Sequence, residues 1–237
     1  MLLRKKEEIK TWLNQYQIKD YDLIKDEKYG YVVNVNNHVN LYSKKLKSIN
    51  VKFNEVTGYF DCSFNELETL EGCPEIVEGG FYCYNNRLKT LKGSPKKIDG
   101  SFYCHYNELE SLEGCPEVVN GDFNCNHNQL TSLEGCPQIV KGYFDCSHNN
   151  LITLKGVPEI IEEEFNCSHN QLKLENLKYL PQRIKGHLNI SNNINLKELQ
   201  DITKLQELKI KLEKNHLLQN INLEQLNKDI YNSIHKI

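Results

Sequence analysis

A cysteine that returns every 21 residues constrains this chain more than any other feature. Cys62, Cys83, Cys104, Cys125, Cys146 and Cys167 are evenly spaced. Around each runs one frame, Gly-x-Phe-x-Cys-x-x-Asn-x-Leu-x-x-Leu-x-Gly-x-Pro-x-x-(Ile/Val). One unit reads Gly121, Phe123, Cys125, Asn128, Leu130, Leu133, Gly135, Pro137, Val140. The next reads Gly142, Phe144, Cys146, Asn149, Leu151, Leu154, Gly156, Pro158, Ile161. A unit this short cannot enclose a hydrophobic core alone. Stacked on its neighbours it can, so the repeat predicts a solenoid.

Each kept position has a physical reason. Phe and Cys alternate with polar residues, the period of a strand with one buried face. Cysteine serves there as a small apolar filler. The asparagines at 65, 86, 107, 128, 149, 170 and 193 stand just past the strand, where an amide bonds the backbone of a turn and, coil on coil, that of its neighbour. Gly72, Gly93, Gly114, Gly135 and Gly156 suit a tight bend. Pro74, Pro95, Pro116, Pro137 and Pro158 favour an extended return. So short a coil leaves little room for a helix, which predicts one parallel strand per coil with extended or short helical segments opposite.

The frame resembles the leucine-rich repeat, Leu-x-x-Leu-x-Leu-x-x-Asn-x-Leu, with Phe-x-Cys standing for Leu-x-Leu. It is similar to the short bacterial class of secreted effectors, and more so to phage and bacterial repeat proteins with units such as Phe-Asp-Cys-Ser-x-Asn-x-Leu. The resemblance covers about residues 37–210. It implies a strand-dominated leucine-rich-repeat solenoid of the α/β horseshoe class. Such a fold has a single parallel β-sheet on the concave face, extended or short helical convex segments and helical caps at both ends. It also implies a binding role without naming a partner. The catalytic domain that some effectors append is not seen in this sequence.

The ends depart from the frame. Val39-Asn40-Leu41 stands where Phe-x-Cys should be, and Lys44 replaces the Asn. Before it, Ile9, Trp12, Leu13 and Tyr16 recur at helical spacing, and strand-like runs follow near Tyr21–Ile24 and Tyr31–Val35. Residues 1–36 are therefore read as an N-terminal cap, with Trp12 in the core, and 37–210 as the solenoid. A two-residue insertion follows Cys167, after which Leu188-Asn189-Ile190 and Asn193 restore the frame. Leu196 to Ile210 suggest one more irregular coil. Asn222-x-x-Gln225 resembles a capping box, and residues 211–237 are read as a C-terminal helical cap.

Net charge is −3 with both signs interspersed, so no segment tracks a phosphate backbone, and single-stranded nucleic acid is a secondary reading resting on tyrosine stacking alone. No apolar run is long enough for a membrane span or a signal peptide, which reads as a cytoplasmic protein. The Lys-, Asn- and Ile-rich, Ala-free composition suggests an AT-rich bacterial, phage or large-virus genome. The nine cysteines are odd in number. A Cys115–Cys136 bridge is geometrically open, but a reducing cytosol opposes it.

Alternation places the residues flanking Phe and Cys on the outer face of the strand. Tyr59, Tyr82, Tyr84, Tyr103 and His105 then form an aromatic patch over adjacent coils, with Asp61, Asp122, Asn124, Tyr143 and Asp145 around it. Tyrosine gives large contact area with few rotamers to freeze, so these ten residues are the candidate partner-binding set. The same tyrosines also serve plain strand support. Cys125-x-His127, Cys146-x-His148 and Cys167-x-His169 invite a zinc reading. With Cys inward and His at the turn, however, their atoms do not converge, so no metal, cofactor or catalytic residue is assigned. No phosphate loop, nucleophile elbow or paired zinc motif occurs.

The sequence thus predicts a non-catalytic, mostly monomeric module that binds a macromolecular partner, a protein first, through the concave sheet. Its sharper form is a phage or mobile-element inhibitor of a host enzyme or defence complex. A self-associating structural component is the competing class.

Overall fold

The structure, a computed structural model, describes residues 2–193. The expected irregular coil from Leu196 to Ile210 and the C-terminal cap at 211–237 lie outside these residues. Within them the chain is a strand-dominated β-solenoid with parallel sheets and very little helix.

One sheet carries the Phe-x-Cys frame. Its eight strands are Val39–Asn40, Phe60–Asp61, Phe81–Tyr82, Phe102–Tyr103, Phe123–Asn124, Phe144–Asp145, Phe165–Asn166 and Leu188–Asn189. All pair in parallel and in one register, so Phe60 lies beside Phe81, Phe81 beside Phe102, and so on to Leu188. Inside, the phenyl rings stack at 5.2–5.8 Å between centroids. The frame's Cys and Leu side chains fill the rest of the core and are fully buried. Burying a Phe or Leu is worth about 1.5–3 kcal/mol, but each gain needs the adjoining coil to be present.

The opposite side corrects the expectation of a single sheet. The short segments after each Pro, together with Phe53–Val56 before the first, form a second parallel ladder. It runs Phe53–Val56, Ile76–Val77, Lys97–Ile98, Val118–Val119, Ile139–Val140, Ile160–Ile161 and Arg183–Ile184. Proline delivers the chain extended, and the buried backbone there must pair. The adjoining coil offers partners at ladder distance, as when Glu78 N–H donates to Val56 O at 3.0 Å. A horseshoe curves because its convex side is wider than its strands. Here strand stands opposite strand, which supplies no such wedge.

Two devices close each coil. The Asn ladder bonds two coils at once: Asn86 Nδ2 donates to Cys62 O of the preceding coil (3.0 Å) and to Cys83 O of its own (3.1 Å), while Oδ1 accepts from Leu67 N (2.9 Å). The pattern repeats through Asn193. At the bend, Gly156 has φ +89° and its α-carbon faces Leu133 of the preceding coil so closely that a Cβ would sit 2.5 Å from the Leu133 carbonyl. Only glycine meets both demands.

The N-terminal segment holds a helix, α1 (Lys6–Gln15), and an antiparallel hairpin of β1 (Tyr21–Asp26) and β2 (Gly30–Val35). Strand β2 then pairs in parallel with Phe53–Val56, so the hairpin extends the second sheet. Ile9, Trp12 and Leu13 of α1 are buried, and Trp12 meets Phe53 edge-on at 6.2 Å, which puts this residue in the core as its stripe predicts. The edge strand β1 carries Asp22, Lys25 and Asp26, charges that discourage strand addition. Near the other end, a short 3-10 turn at Leu174–Tyr179 lies in the coil that carries the two-residue insertion.

Candidate functional site

Four columns of side chains run along the Phe–Cys face, one residue from each coil in each. Two flank Phe, one follows Cys, and the last stands in the turn before Asn. The candidate residues fall in the first three columns, as alternation predicts. They are not equally available. Tyr59 stacks on His38 at 4.2 Å, and its ring lies 6.2 Å from that of Tyr82, which in turn lies 5.3 Å from Tyr103. Tyr103 Oη donates to Asp122 Oδ2 at 3.0 Å, and the other oxygen of Asp122 accepts from Tyr143 N. Tyr84 stacks on His105 at 4.4 Å with planes 8° apart. Asn124 Oδ1 accepts from Asn126 N. Asp145 departs from the expected exposed set. It is only 6 % exposed, with Oδ1 taken by Ser147 N and Oδ2 by Asn126 Nδ2. Its carboxylate supports the face from below.

Gly80 explains how Tyr82 lies. A Cβ there would sit 2.2 Å from Tyr82 Oη, so the missing side chain is the space into which the phenol folds.

The fourth column holds what alternation does not reveal. Phe64, Tyr106, His127, His148 and His169 stand in a turn with φ of 50–55°, a left-handed backbone. Their rings continue the patch. Tyr42 contacts Phe64 (5.1 Å), Phe64 contacts Tyr84 (5.5 Å), and Tyr84 stacks on His105. His105 then meets Tyr106 (5.6 Å), and Tyr106, His127, His148 and His169 stack face to face at 4.1–4.3 Å. Eight rings thus form one unbroken ridge. Tyr42, Phe64 and Tyr106 are 42, 45 and 49 % exposed, more open than any residue of the candidate set. A left-handed backbone disfavours bulky side chains. Asn85 and Asn192 show that the column accepts asparagine, a residue at ease there. Phe64 and Tyr106 therefore carry a conformational cost that the fold does not require.

Burial sets the protonation of the face. It pushes the phenols of Tyr82, Tyr84, Tyr103 and Tyr143 upward, so they stay neutral hydrogen-bonding tips. It pulls His105 down to about 4 and lowers His127 as well. The stacked imidazoles are parallel, so their in-plane lone pairs run side by side and do not converge. Among the described residues no group of His, Cys, Asp or Glu is arranged to hold a metal ion. All nine cysteines are free thiols, and burial raises those of the frame. No described helix is long and apolar enough to cross a membrane.

The chain matches no protein-family model, no curated protein and no solved structure.

Proposed function

We propose that the chain is a non-catalytic protein-binding module, a leucine-rich-repeat variant whose convex side has become a second strand ladder. The observation that carries this reading is the exposed aromatic ridge, built partly on left-handed positions that favour asparagine over aromatic residues. Backbone strain of this kind collects where function requires it. The ridge is preformed by stacking, so little side-chain freedom is lost on docking. Occlusion of a partner's surface is the mechanism that follows, and inhibition of a host enzyme or defence complex is its sharper form. Assembly into a larger structure has less support, because the exposed edge β1 is charged. Single-stranded nucleic acid has less still, since no Lys or Arg stands in the strands and turns of the face.

The test is affinity capture from a lysate of the source cell, with Tyr82, Tyr84 and Tyr103 changed together to Ala in a parallel bait. A protein retained by the native chain and lost by the folded variant supports the reading. Equal retention by both baits moves binding to another surface.

A further inference from the structure

Charge on the Phe–Cys face is distributed differently from charge elsewhere in the molecule. Across its eight strand-and-turn segments, from 38–43 to 187–192, there is no Lys or Arg, yet there are four carboxylates, Asp61, Asp122, Asp145 and Glu164. On the other surfaces Lys and Arg are interspersed with the acids, and several pairs form across or within coils. Glu113 pairs with Lys92 at 3.0 Å, Glu134 with Lys155 at 2.7 Å, Glu66 with Arg87 at 3.3 Å, and Glu75 with both Lys52 and Lys96. Among the described residues none of the four face carboxylates has a Lys or Arg within ion-pair reach. The neighbouring imidazole of His105, lowered to about 4, brings no positive charge at neutral pH. The face is therefore negative and aromatic at once.

A second observation points the same way. Among the described residues, the buried side-chain polar atoms without a hydrogen-bond partner are Ser63 Oγ, His105 Nδ1 and Asn126 Oδ1. All three belong to the single column that follows Cys. As oriented, the Asn126 oxygen accepts only, and Ser63 and His105 also offer acceptor sites. A donor brought to this column satisfies the Asn126 oxygen and suits the acceptor side of the other two.

Resting on the protein-binding reading above, we propose that the partner presents an arginine-bearing basic segment to this face. A guanidinium carries five N–H donors in a plane, lies flat on aromatic rings and pairs with carboxylates two-pronged. The rings of Tyr82, Tyr103 and Tyr106 give the stacking surface. Asp61, Asp122 and Glu164 give the counter-charges on either side of it, and Asp145 adds field from beneath. Lysine, a compact and strongly hydrated charge, gains less from such a surface.

The probe is a fluorescein-labelled oligo-arginine peptide followed by anisotropy, beside oligo-lysine and oligo-glutamate peptides of equal length. Two variants with the same change in net charge are compared: Asp61→Asn/Asp122→Asn/Glu164→Gln on the face, and Glu110→Gln/Glu113→Gln/Glu134→Gln away from it. The expected result is salt-sensitive binding in the order arginine, lysine, with none for glutamate. The face variant should weaken it by about ten-fold or more, and the distant variant less than about two-fold. Glu164→Gln alone guards against misfolding, because among the described residues no hydrogen bond involves the Glu164 carboxylate, and it should give a partial loss. No arginine binding, equal loss in both triple variants, or no loss in either overturns the proposal. The tyrosine-dependent capture of a partner would survive that failure and then indicate a face read by other chemistry.

Discussion

Asn128 is bonded across the coil boundary to Cys104. Its Nδ2 donates to the Cys104 carbonyl at 3.2 Å, while its Oδ1 accepts from Leu109 N of that same preceding coil at 2.9 Å. The side chain is buried and also bonds the carbonyls of Cys125 and Asn126. Replacing it with Ala strands a donor and several acceptors at once. A single unpaired buried group costs about 1–3 kcal/mol, so Asn128→Ala should lower unfolding free energy by roughly 2–4 kcal/mol. Asn128→Asp should be worse at neutral pH, because it sets a carboxylate against three carbonyl oxygens. Chemical denaturation checks both, and an Asp variant as stable as the native chain would refute the ladder's role.

The ridge allows a test that separates stability from binding. Tyr106 has φ +50°, and the aromatic ring there is half exposed. Tyr106→Asn puts a residue suited to the left-handed region into the same turn. Relief of that strain is worth about 1 kcal/mol and offsets the lost contact with His127. The melting temperature should therefore not fall, while affinity for the partner should. A variant that melts clearly lower would show that Tyr106 serves the fold.

Gly80 offers a way to move a binding residue without changing it. The three atoms nearest a Cβ placed there all belong to the far end of the Tyr82 side chain. Gly80→Ala should leave the melting temperature within a few degrees and weaken partner binding as much as removing Tyr82 does. Unaltered affinity would mean that the observed pose of Tyr82 is not the one a partner meets.

The fold should lose stability in mild acid. Burial holds His105 at about 4, below the usual value of about 6.5 for an unfolded histidine. Between those values the unfolded chain binds more protons, so stability is full above the upper one and declines as pH falls toward the lower. His127, also lowered by burial, adds to the decline. Asp145 opposes it slightly by favouring charged His105. His105→Phe keeps a ring against Tyr84 and should flatten part of the melting curve's dependence on pH across that window. An identical dependence in the variant would place the titration elsewhere.

Much of this was legible in the residues. Cys62 to Cys167 gave the period, and Phe, Cys, Asn, Leu and Gly each took the place their chemistry predicts. The second sheet was not legible, because Ile76–Val77 and its counterparts are two-residue strands, too short to show alternation. Their repetition after each Pro was the available signal. Phe64 and Tyr106 escape such a reading because strand alternation ends at Cys and the turn beyond it has a left-handed backbone. Asp145 was placed on the right side of the strand, but its burial depends on Asn126 from another coil and on its own neighbour Ser147, and neither contact is local enough to read.

The most direct test of the account is a titration of the captured partner into the native chain and two matched variants. One carries Tyr82, Tyr84 and Tyr103 as Ala. The other carries Val118, Ile139 and Ile160, outward on the second sheet, as Thr. The account predicts a loss of affinity of about 100-fold or more for the first and affinity within about two-fold of native for the second. Affinity lost by the second variant and kept by the first, with both folded, would contradict it.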